Sequence, residues 1–151
     1  MNIYAQRFFP FLSSAFLTFS GTAALDARPA LGIEITDAWI RWLPASVPSA
    51  GYMTLENHGS AAQALVGASS RIYGEITLHR SLKIEGMSGM APVETLTLAS
   101  KESVNFLSQG YHLMLTQPRR AIGAGERVPI TLRFSSGQSV TVQFVVRGAI
   151  L

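Results

Sequence analysis

The chain has 151 residues, 48% of them hydrophobic and 14% charged, with a formal charge of +3. That length suits one domain with a hydrophobic core of its own. With no Cys, three His and five Met, the composition excludes disulfides, thiolate zinc sites, iron–sulfur clusters, a Cys nucleophile and a Cys-ligated blue-copper centre.

Residues 1–24 read as a secretory signal peptide. Arg7 is their one charge, an apolar run extends from Phe8 to Phe19, and small residues end at Ala23 and Ala24. Pro10, Ser13, Ser14 and Thr18 make the run a poor spanning helix, so an exported, periplasmic protein without stable membrane insertion is expected. Residues 25–151 are then the mature domain. Their eleven basic and nine acidic side chains are scattered without a run, and nucleic-acid binding would need a basic stripe with stacking aromatics.

From Ile33 onward, short alternating or apolar runs recur every eight to twelve residues between turn-forming clusters, the pattern of an all-β sandwich or barrel. Strands are predicted at Ile33–Ile35, Ala38–Trp42, Gly51–Glu56, Ala64–Ala68, Gly74–Lys83, Val93–Leu98, Ser103–Phe106 and Tyr111–Thr116. A loop with Pro44 and Pro48 follows Trp42, and Asn57, His58 and Gly59 read as a turn with a solvated His58. Gly86 to Met90 reads as a Gly-rich turn. Val128, Ile130, Leu132 and Phe134 share one face of the clearest strand. Ser135 to Gly137 turn the chain into its partner, Val140, Val142, Phe144 and Val146.

Hydrolase chemistry has no support: the Gly-x-Ser-x-Gly elbow is missing, as are the helices its folds require. His and Met are more informative. His112 and Met114, one residue apart, project from the same side of a strand. With Tyr111, Leu113 and Leu115 as the core set, that side is expected to face outward, and the same alternation sends His79 outward from its own strand. A lone His is more often solvated than a ligand, and His-x-Met alone is a weak signal. Met114 on a polar face nevertheless has no core to fill. Thioether and imidazole together are soft, neutral donors that favour copper(I), and thioethers do not close into disulfides in an oxidising compartment. An exposed site without Cys suits metal transfer better than electron transfer. A copper monooxygenase is disfavoured, because no His lies near the expected mature N-terminus.

His79, ten residues, Met90, twenty-one residues, His112, one residue and Met114 resembles the His-x10-Met-x21-His-x-Met signature of the periplasmic PCu(A)C-type copper chaperones. Asp37 to Arg41, the stretch GYMTLENHG from Gly51 and GYHLML from Gly110 are similar to further segments of that family. The likeness covers roughly residues 33–146. It implies a cupredoxin-like Greek-key β-sandwich that is not an enzyme and binds copper(I) through His79, Met90, His112 and Met114. It also implies delivery to a respiratory oxidase, at the binuclear copper site of cytochrome c oxidase, with a Sco-type chaperone as a second partner in some members. Arg80 departs from the family's Met, acidic or polar residue; a cation there either weakens cation binding or belongs to a partner surface. Met87 is an extra thioether, read as packing. Without a His- and Met-rich tail, a second, copper(II)-preferring site is not expected. The reading from another class is an exported β-sandwich binding module without metal.

Overall fold

The computed structural model describes residues 32–44 and 46–148. The expected signal peptide lies outside them. Ten strands follow in chain order: β1 (Ile33–Arg41), β2 (Ser49–Asn57), β3 (Gln63–Ser69), β4 (Tyr73–Ile84), β5 (Met87–Pro92), β6 (Leu96–Leu98), β7 (Ser103–Asn105), β8 (Tyr111–Pro118), β9 (Arg127–Phe134) and β10 (Ser139–Arg147). No helix occurs among the described residues, so none is long and apolar enough to cross a membrane.

Hydrogen bonding links the strands in the order β5-β4-β8-β2-β1-β10-β9-β3-β6, with β7 added on β2. Among the described strands β1 runs parallel to β10, and the other pairings are antiparallel. β3 packs against β4, so the long sheet folds back on itself as a sandwich around one core. This is the all-β, cupredoxin-like architecture expected from the strand pattern and the family likeness.

The alternation of the last hairpin translates directly into packing. Val128, Ile130 and Leu132 are fully buried and Phe134 nearly so, while Thr131 and Thr141 bond to each other on the outer side. Leu55, Leu65, Leu98, Leu113 and Leu115 complete the same interior. Each such side chain contributes about 1.5–3 kcal/mol when taken out of water.

Two local details correct the sequence reading. The predicted strands at 33–35 and 38–42 form one strand, β1, whose register against β2 shifts between Thr36 and Trp39, with Asp37 at φ 49°. This is a β-bulge, where one extra residue bends a strand without ending its pairing. The segment from Gly86 to Met90 belongs largely to a strand, β5, paired with β4 from Ile84↔Met87 to His79↔Pro92. Glu85 and Gly86 close that hairpin with φ of 50° and 80°, the left-handed pair that a two-residue turn of the primed type requires. Backbone pairing imposed by the turn thus overrides the poor strand propensity of Gly and Ser.

Candidate metal centre

Register on three adjacent strands brings the four predicted residues to one face of the sheet. His79 of β4 stands directly opposite His112 of β8, and Thr77 directly opposite Met114. On the other side of β4, Ser81 faces Met90 of β5. Residues two apart on a strand share a side, so His79, His112, Met114 and Met90 all project the same way. Ser81 N donates to Gly110 O over 3.0 Å, so the row between Met90 and β8 carries only small residues.

The imidazole rings of His79 and His112 lie 6.0 Å apart, centroid to centroid, and tilted by 40°. Nδ1 of His112 is 3.2 Å from the carbonyl oxygen of Gly110. Donation to that oxygen leaves Nε2 as the lone-pair nitrogen. Nδ1 of His79 is buried without a hydrogen-bond partner, a cost of roughly 1–3 kcal/mol if no ligand or water meets it. Burial, then repulsion from His112, lower the His79 pKa below the ordinary value of 6.5. The ring is therefore neutral at pH 7, the form that ligates a metal.

Met90, His112 and Met114 line a common cleft of about 210 Å³, whose other walls include Arg41, Val47, Pro48, Tyr52 and Ser108. His112 is only 5% exposed, which corrects the expectation that its side of β8 faces outward. That side does point away from the core formed by Leu113 and Leu115, but Leu43, Val47, Pro48 and Ser108 wall the cleft it faces. Met114 and His79 are half-buried, and Met90 is 57% exposed.

The neighbours singled out in the sequence fall elsewhere. Arg80 is opposite Tyr111 and its guanidinium carbon lies 5.4 Å from the Tyr111 ring centroid. Alternation puts it on the reverse side from His79, and neither His79 nor Arg80 lines the cleft. Met87 is 70% exposed, and the expectation that it packs is wrong. It pairs with Ile84 at the hairpin end, next to the Glu85–Gly86 turn. His58 is exposed, as a turn residue should be, but it is engaged by Glu34 and Glu56. The spacing Glu56-x-His58 was the sequence signal for that contact; Glu34 joins only through strand register.

The profile of the LpqE-like family, described as candidate lipoproteins, matches residues 33–146. The chain belongs to the LpqE-like family. This LpqE-like chain is 25% identical over 127 residues to Lxx21020 of Leifsonia xyli subsp. xyli, a candidate lipoprotein, covering 83% of this chain and 76% of that one. It is 31% identical over 99 residues to RP573 of Rickettsia prowazekii, covering 65% of this chain and 55% of that protein.

Among solved structures, the copper-bound PCuAC domain from PmoF2 superposes with a TM-score of 0.65 at 21% identity, over 78% of this chain and 93% of that one. The solution structure of copper(I)-bound DR1885 from Deinococcus radiodurans gives a TM-score of 0.63 at 30% identity, over 87% of each chain. The LpqE-like chain therefore has the PCuAC fold.

Proposed function

We propose that this protein is a copper(I) carrier rather than an enzyme, holding one ion with His79, Met90, His112 and Met114. The observation that carries this reading is the convergence of two imidazoles and two thioethers on one face of β4, β5 and β8. Those donors are soft and neutral, and they match copper(I) far better than magnesium, calcium or zinc. The copper(I) form of DR1885, 30% identical to this chain, supports the same metal and oxidation state.

The carrier works outside the cytoplasm. The signal-like residues 1–24 and the lipoprotein description of the family support export to the periplasm. The 151 residues contain no cysteine, so a lipid joined through sulfur has no attachment atom within them. The recipient is a respiratory oxidase subunit, at the binuclear copper site of cytochrome c oxidase, with a Sco-type chaperone as a further partner. That choice rests on the PCu(A)C likeness of the four-residue spacing.

Titration with copper(I) against a competing chelator tests the metal assignment. One equivalent should bind, and affinity should fall sharply in a His112→Ala, Met114→Ala double variant. Because a ligand that binds only the folded state must stabilise it, copper(I) should also raise the melting temperature. A melting curve indifferent to copper(I) would favour the metal-free binding module instead.

A further inference from the structure

On β1, β2 and the turn after β2, well separated in sequence from the four donors above, Glu34, Glu56 and His58 each bring one ligand atom within 4.8 Å of the others. Their placement follows from the fold. The β1–β2 register sets Glu34 directly opposite Glu56, and Glu56 and His58 fall on one side of the chain with the buried Asn57 between them. Like charges directly opposite across strands are destabilising. Here both carboxylates turn to one imidazole nitrogen: His58 Nε2 is 2.8 Å from Glu34 Oε2 and 3.2 Å from Glu56 Oε2.

Those separations are close to what a metal needs. Ligand atoms about 2.0–2.1 Å from a tetrahedral ion are about 3.3 Å from one another, so small side-chain shifts would admit an ion in place of the proton on Nε2. The supporting backbone is already fixed. His58 N donates to Gly32 O over 2.7 Å, Asn57 Nδ2 donates to Ala61 O and Ala99 O over 2.9 and 3.0 Å, and Lys101 Nζ donates to His58 O. The lysine ammonium is thereby occupied at the main chain.

One nitrogen and two anionic oxygens form a donor set unlike the thioether cleft. It disfavours copper(I) and suits a divalent transition ion, whose two charges the carboxylates neutralise. All three side chains keep solvent access, which leaves a further coordination position for water or for a group on a partner. We propose that Glu34, Glu56 and His58 form a second metal site, specific for a divalent transition ion.

Calorimetric titration of the purified protein with zinc chloride tests this. One equivalent should bind, and His58→Ala or Glu34→Gln should each weaken it at least about tenfold. The distant pair His112→Ala with Met114→Ala should leave zinc affinity within about twofold, which separates this site from the copper(I) cleft. Because all three residues are at least partly exposed, the variants should stay folded without zinc, and Glu56→Gln offers a second disruption that also removes one of the two opposed charges. Zinc binding that survives His58→Ala, that follows the His112 and Met114 pair, or that is absent at about 1 mM zinc would overturn the proposal and leave an ordinary imidazole–carboxylate cluster.

Discussion

His79 and His112 face each other across the β4–β8 pairing, rings 6.0 Å apart, with no other imidazole in their register. Such a cross-strand pair is held by the backbone of two strands that are themselves hydrogen-bonded on both sides. Strand pairing thereby fixes both backbones, and the Gly110 carbonyl just before β8 orients the His112 ring.

Removing either imidazole should therefore weaken copper(I) binding without unfolding the protein. His79→Ala is expected to reduce copper(I) affinity at least about tenfold, measured by chelator competition, while far-ultraviolet circular dichroism stays unchanged. An affinity equal to that of the parent would remove His79 from the ligand set.

Acid should release the metal. Protons compete with copper(I) for imidazole nitrogen, so affinity should fall as pH drops below about 6.5. Since burial and His112 lower the His79 pKa, that ring stays neutral further into the acid range, and His79→Ala should make the onset of release depend on the remaining imidazole. The check is a series of chelator competitions between about pH 5 and 7.5; a flat profile would argue against imidazole ligation.

A second pH effect belongs to Glu126. Its carboxylate accepts from Gly123 N and, at 2.8 Å, from Arg120; the Gly123 bond first and Arg120 second hold its pKa below the ordinary 4.5. A depressed folded-state pKa means stability that is present above the unfolded value and lost as pH falls through the folded one. Glu126→Gln should lower the melting temperature at pH 7, and the gap to the parent should shrink below about pH 4.5. A gap that is constant with pH would assign the loss to something other than charge.

Leu113 separates packing from binding. It is buried between His112 and Met114 in sequence but on the reverse side of β8, in the core. Leu113→Ala should cost about 2–5 kcal/mol in denaturant unfolding, whereas copper(I) affinity below the transition should change far less than in the His112 variant. Equal losses in both would mean that the cleft depends on core packing.

The last hairpin was legible in the sequence because period two is a local signal, and the four-residue spacing was noticed through its resemblance to a family signature. β9 reads Val128, Ile130, Leu132, Phe134, and all four are in the core. Strand parity likewise anticipated that His112 and Met114 would share a side. What parity does not reveal is what stands over that side, so the burial of His112 in a cleft walled by Leu43, Val47, Pro48 and Ser108 was out of reach. β5 was missed because Gly86, Ser88 and Gly89 read as a loop; its pairing comes from the left-handed Glu85–Gly86 turn. The Glu34 contact with His58 depends on register between β1 and β2, which a bulge shifts and local patterning does not encode.

β5 ends the hydrogen-bonded order of the sheet, so among the described residues no strand holds its outer row of amides. Amides on an edge strand open and exchange with solvent more readily than those of interior strands. Met90 rides on that edge, whereas His79, His112 and Met114 ride on β4 and β8, each flanked on both sides. Fraying of β5 would detach one thioether and leave the other three donors standing. The four donors are thus unequal in their tethering, and the sheet has a built-in order in which they can let go.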